Sequence, residues 1–176
     1  MQSCLPDKVD LWKLAAAGDR LRGGIPLQRM PRLLSLLSAG AGEVTVALQA
    51  GVDESNTRFI AGHLETTVEV VCQRCMSSLR LPLAVDFRLG LIRTESQAVG
   101  LSTEYEPLLA PEGGTAMSEW VEDELILALP LVPLHDDVRE CETHGFTLPG
   151  AYQALPAKQA NPFAVLSVLV NKQPED

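Results

Sequence analysis

From Leu79 to Leu91 an apolar side chain stands at every odd position: Leu79, Leu81, Leu83, Val85, Phe87, Leu89 and Leu91. The even positions between them include Arg80, Asp86 and Arg88. Period two is the signature of a strand, whose successive side chains point to opposite faces; a helix repeats its apolar stripe every three or four residues. A strand of that length with one apolar face has to lie in a sheet that buries that face. Just upstream, Leu64, Thr66, Val68 and Val70 keep the same period, and residues 58–70 read as one long strand or two consecutive ones. Cys72-Gln73-Arg74-Cys75-Met76-Ser77-Ser78 then becomes the connection of a hairpin, with both thiols in a tight turn. Val44, Val46 and Leu48 form a further strand, and residues 51–56 are turn-like.

The rest of the chain carries weaker signals. Residues 1–25 read as a loose N-terminal segment punctuated by Gly23-Gly24. Pro31 suits a first helical turn, where its missing N–H costs nothing. Leu33, Leu34, Leu36 and Leu37 follow it, so a short amphipathic helix is expected over 27–39, with Gly40 as its C-cap and Arg29 and Arg32 outside. Residues 94–116 read as an acidic loop, since Pro107, Pro111 and Gly113-Gly114 oppose regular structure. Ser118 can N-cap a helix whose stripe is Val121, Leu125, Ala128 and Leu129, stopped by Pro130. Residues 135–150 look irregular and polar. Asn161-Pro162 opens a last short helix that would dock Phe163, Leu166, Leu169 and Val170 on the core. Strand runs followed by helical segments predict an α+β fold in a single domain over 1–176. The expected architecture is an antiparallel, curved or barrel-like sheet with two or three short helices packed on it.

With 46% hydrophobic residues the 176-residue chain can bury a real core, which excludes global disorder. It has no apolar run long enough to span a membrane and no basic-plus-apolar leader, so a cytoplasmic protein is expected. That setting keeps thiols reduced, and the four cysteines do not read as a disulfide framework. The net charge of −9 concentrates in residues 94–145, where twelve carboxylates face one arginine. Such a stretch repels nucleic acid and attracts a basic partner, or it is a solvated face. The consecutive Glu122, Asp123 and Glu124 point in different directions on a helix, which suits a surface better than acid–base chemistry. Only the first forty residues carry a basic excess, through residues such as Arg20, Arg22, Arg29 and Arg32.

Two thiols in a C-x-x-C turn can point at one ion, and zinc takes Cys and His in a closed tetrahedral site. His135, Cys141 and His144 supply candidates for the second pair of ligands. The alternatives are a pair of partly buried structural cysteines, since a free Cys packs as a small hydrophobe, or a redox pair. A thioredoxin-like redox site wants its C-x-x-C at a helix start, whereas here it lies between two strands. Arg74 inside the turn could contact a phosphate or carboxylate, or be solvated. No P-loop, nucleophile elbow or dinucleotide fingerprint is present, and no nucleophile has an evident base.

Several runs together resemble the YceD family, associated with accumulation of large-subunit ribosomal RNA, and most resemble its proteobacterial branch. They are Cys72-Gln73-Arg74-Cys75, Tyr105-Glu106-Pro107, the run from Val121 to His135, Cys141, and Asn161-Pro162-Phe163-Ala164-Val165-Leu166, in family order. The resemblance implies a ribosome-biogenesis factor that supports synthesis, processing or stability of 23S rRNA. It implies no known catalytic reaction. Other branches carry further cysteines in a zinc-ribbon-like arrangement, and His135 and Cys141 fall near two of them. A Cys72, Cys75, His135, Cys141 set, with His144 as substitute ligand, is the expected zinc site. The expected partner is a large-subunit ribosomal protein or rRNA processing factor, bound through Glu119, Glu122, Asp123 and Glu124. RNA contact is then secondary, through Arg20, Arg22, Arg29 and Arg32. The competing expectation is a small zinc- or thiol-dependent enzyme or redox protein using Cys72 and Cys75.

Overall fold

A computed structural model describes residues 5–147. Its centre is the hairpin of β4 (Arg58–Val71) and β5 (Ser78–Ile92), antiparallel from Phe59 opposite Gly90 to Val71 opposite Ser78. The period-two reading of residues 79–91 holds: Leu83, Phe87, Leu89 and Leu91 are buried, while Arg80, Asp86 and Arg88 are exposed. β3 (Glu43–Val52) pairs with β4, and β2 (Arg20–Pro26) pairs with β3 as the edge strand. These form a meander that β6 (Glu106–Leu109) extends on the far side of β5, giving the order β2-β3-β4-β5-β6. A mixed α+β fold is as expected, but the sheet is open with two edges and does not close into a barrel.

Register assigns the two faces. Ile25 of β2, Val44, Val46 and Leu48 of β3, Ile60 and Leu64 of β4, and Phe87 and Leu89 of β5 share the inner face. Three helices cover it: α1 (Leu11–Ala17) through Leu11 and Ala15, α2 (Pro31–Leu34) through Leu33, and α3 (Met117–Ala128) through Trp120, Val121 and Leu125. Trp120 packs against Phe87 with ring centroids 5.2 Å apart. Each of these large side chains contributes roughly 1.5–3 kcal/mol of burial.

Four expectations need correction. The described part of the segment, residues 5–25, is not loose: it holds β1 (Lys8–Val9), α1 and most of β2. Asp10 caps α1 by accepting from the Lys13 N–H, and Gly18 ends it in the left-handed conformation. At Gly24 a Cβ would lie 2.1 Å from the Glu43 carboxyl group, the mobile end of a long side chain. Second, the helix expected over 27–39 shrinks to a 3₁₀ turn, Leu27–Arg29, and the short α2 that Pro31 opens. Third, the acidic loop 94–116 contains a 3₁₀ segment (Glu95–Gly100), β6, and β7 (Thr115–Ala116), which pairs with β1. β6 runs parallel to β5, and residues 93–105 supply the crossover that a parallel pair needs. Fourth, α3 begins at Met117 with Ala116 as N-cap, so Ser118 lies inside the helix, buried. Within 135–150, α4 (Val138–Thr143) is ordered behind an Asp137 N-cap. The helix expected from Asn161 lies outside the described residues.

One carboxylate ties the helices together. Glu122 of α3 is 3% exposed. It accepts from the Leu33 backbone N–H at 2.9 Å, satisfying a first-turn donor of α2, and from Arg32 Nε at 2.8 Å. Glu122→Ala leaves that N–H unpaired in the interior, and the expected loss is ~2–3 kcal/mol in urea unfolding. Glu122→Gln, which keeps the acceptor, should lose less.

Candidate metal centre

The β4–β5 turn and the segment after α3 converge on one point. In the turn, Cys72 N donates to Ser77 O and Met76 N to Cys72 O, each at 2.9 Å. Met76 takes a left-handed φ of 60° to close it. Pro130 ends α3, and the following chain returns to the turn, where Gln73 N donates to Pro133 O at 2.8 Å. This brings His135 over the thiols, and α4 delivers Cys141 from the other side.

The ligating atoms of Cys72, Cys75, His135 and Cys141 all lie within 4.8 Å of one another. Cys72 Sγ and Cys141 Sγ are 3.9 Å apart. His135 Nδ1 is 3.5 Å from both Cys75 Sγ and Cys141 Sγ. A tetrahedral ion with Zn–S near 2.3 Å and Zn–N near 2.0 Å sets edges of about 3.8 Å between sulfurs and about 3.5 Å between sulfur and nitrogen. The donor set therefore has the dimensions of a metal cage. Cys72, Cys141 and His135 are buried and Cys75 is partly so. All three thiols are free.

The surroundings favour the thiolate at Cys72 and Cys75 and oppose it at Cys141. Burial pushes the Cys72 thiol up, but the backbone N–H groups of Cys75, His135 and Arg74 outweigh it, and the thiol comes down to about 5. Burial raises Cys75 less than the Ser77 hydroxyl and N–H lower it, so it too falls below its ordinary value. At Cys141 burial and the neighbouring thiols act together and hold it up at about 11. Burial lowers His135, yet Cys72 and Cys75 more than compensate and its pKa rises. Arg74 Nη1 reaches Cys141 Sγ at 3.7 Å, so its partner is a thiol rather than a phosphate or carboxylate. Three thiolates and a neutral imidazole around a divalent ion leave one negative charge, which this guanidinium offsets.

The remaining expected site residues are scattered. His144 is exposed and stacks on the His135 ring at 5.8 Å, outside the four-atom cluster. Of the acidic helix residues, Glu119 and Asp123 are exposed and Glu124 is half-buried, with burial raising its pKa. Glu122 is turned inward, which removes it from any partner surface: its carboxylate is spent on α2. Its place in the buried stripe of Ser118, Val121 and Leu125 was the sequence signal for that. Arg29 pairs with Asp7 at 2.6 Å, and Arg32 with Glu122 and Asp123 at 2.8 and 2.7 Å, so neither presents an open cation to RNA. Arg20 and Arg22 stand exposed on the opposite side of the sheet.

The chain is thus a small α+β protein organised around a Cys₃His cluster. The family model described as "Large ribosomal RNA subunit accumulation protein YceD" matches residues 60–170. A curated protein of that description from Haemophilus influenzae is 33% identical over 172 residues, covering 96% of this chain and 97% of that protein. The chain belongs to the YceD family, and this relative agrees with the proteobacterial branch. No solved structure matches it.

The cluster predicts an order of thiol reactivity in metal-free protein. Among the three described thiols, iodoacetamide should modify Cys75 first, because it is the most exposed and has a lowered pKa. Cys141, buried and protonated, should react last. Peptide mass spectrometry over time reads the order.

Proposed function

We propose that the protein supports accumulation of large-subunit ribosomal RNA as a non-enzymatic cytoplasmic adaptor, with a structural zinc ion held by Cys72, Cys75, His135 and Cys141. The observation that carries the reading is a complete four-donor set that is largely buried. A catalytic zinc keeps one position for water or substrate, whereas four protein ligands leave none. The zinc fastens the hairpin turn to the segment after α3, which holds the acidic helix against the sheet. Family membership supports the ribosomal role. Among the described residues no helix is long and apolar enough to cross a membrane.

The partner in this reading is a basic large-subunit ribosomal protein or rRNA processing factor. Glu119 and Glu124 supply charge complementarity, together with Asp123, which Arg32 shares at 2.7 Å, and Leu127 and Leu131 expose apolar surface nearby. Cells lacking the gene should show depleted 23S rRNA, restored by the wild-type chain. Reversing the charge of Glu119, Asp123 and Glu124 should abolish recovery of the partner in a pull-down; undiminished recovery would sink the adaptor reading.

Protein purified without added metal should carry one equivalent of zinc, lost in Cys72→Ser and in Cys141→Ser. Zinc affinity should rise with pH across the neutral range. Cys141, held at about 11, and His135, held above its ordinary value, must each surrender a proton on binding. Each released proton adds up to about tenfold per pH unit. Competition titration with a zinc chelator at several pH values reads the slope, and a flat profile would count against coordination by these residues.

A further inference from the structure

Among the described residues no helix packs on the outer face of the sheet: α1, α2 and α3 all contribute their buried residues to the inner-face core. On that outer face Arg20, Gln49, Ala61 and Arg88 stand in register across β2, β3, β4 and β5. Arg22, Ala47, His63 and Asp86 form the adjacent row. The small Ala47 and Ala61 floor a shallow groove of about 650 Å³, rimmed by Arg20, Arg22, Phe59 and Arg88. With strands ~4.8 Å apart, the arginines at the two ends of the first row are separated by ~14 Å.

The charges on this face are arranged for a polyanion. Among the described residues neither Arg20 nor Arg22 forms an ion pair, although the chain carries a net charge of −9. Arg88 is held above the groove by the Tyr105 and Phe59 rings, at 5.1 and 5.9 Å from their centroids, and by Glu104 at 3.6 Å. The face also carries carboxylates, Asp86 and Glu65 at 2.7 and 3.8 Å from His63 and Glu43 over Gly24, but none of the three lines the groove. The tip of the Phe59 ring reaches over Gly51, where a Cβ would meet its Cζ at 3.0 Å, and the ring packs beside Tyr105 with centroids 5.7 Å apart. Planar groups stacked on an aromatic ring, with phosphates tracked by arginines, are how open sheet faces hold single-stranded RNA. A duplex keeps its bases inside and cannot use the ring.

Resting on the ribosomal-RNA reading, we propose that this outer face binds single-stranded RNA, with Arg20, Arg22 and Arg88 on phosphates and Phe59 beneath a base. The acidic α3 lies on the other layer, so one molecule presents its anionic side to a protein and its cationic side to RNA.

Fluorescence anisotropy with a short labelled single-stranded RNA of mixed sequence tests this on the full zinc-loaded chain. Three phosphate contacts predict a log K against log salt slope of about −2. Arg20→Gln/Arg22→Gln/Arg88→Gln should weaken binding about tenfold or more and flatten the slope. Phe59→Leu should cost about tenfold with the slope retained. Arg139→Gln, on α4, should bind as wild type. All five positions are at the surface or half-buried, and thermal melts check that the variants fold. Salt-insensitive binding, no binding, wild-type affinity in the triple variant, a preference for duplex, or equal competition by polyglutamate would each overturn the proposal. Measuring 23S rRNA in cells lacking the gene separates the two levels. Normal rRNA there refutes the functional reading, whereas depleted rRNA with any of the overturning binding results refutes the RNA face alone.

Discussion

The pairing of β4 with β5 is the constraint on which the molecule is built. Each strand is too long to be stable alone with one apolar face, so each requires the other and a covering layer. Their register decides three things at once. It puts Leu64, Phe87 and Leu89 under the helices, it puts Arg88 and Phe59 on the open side, and it places Cys72 and Cys75 at the tip. A slip of one residue would reverse all three, which is why the uninterrupted alternation of Leu79 to Leu91 matters beyond core packing.

The second fastening is polar. Glu122 and Arg32 join two helices that share little apolar contact, α2 being only four residues long. A buried carboxylate is costly unless it is paired and hydrogen-bonded, and here each oxygen accepts one bond, Oε1 from the Leu33 N–H and Oε2 from the Arg32 guanidinium. Past the C-terminal end of α3 the Cys₃His cluster likewise brings two distant chain segments together, the β4–β5 turn and residues 135–141.

Much of this was legible in the sequence for identifiable reasons. A long strand repeats its period often enough to be read, and a C-x-x-C beside it announces a shared turn. His135 and Cys141 were found by residue type and by family likeness, since no spacing links them to the turn. What escaped reading was short or inverted. β1 and β7 have two residues each, below any period. β2 contains Gly23, Gly24 and Pro26, which oppose strand formation except at an edge, and an edge is where it lies. α1 did carry its signals, Asp10 before and Gly18 after, but a seven-residue helix offers only two turns of stripe. Parallel pairing of β6 depends on a crossover rather than a hairpin, and no local pattern records it.

The cluster also has a consequence in time. Cys72 and Cys141 are separated by 69 positions along the chain, and their meeting requires β5, β6 and α3 to be in place between them. At a synthesis rate of about 5–20 residues per second, the first pair of thiols leaves the peptidyl-transferase centre several seconds before the last donor is made. During that interval Cys72 and Cys75 are two donors of an unfinished Cys₃His set on a nascent chain. Completion of the site is therefore a late event, possible only once β5, β6 and α3 have been synthesised.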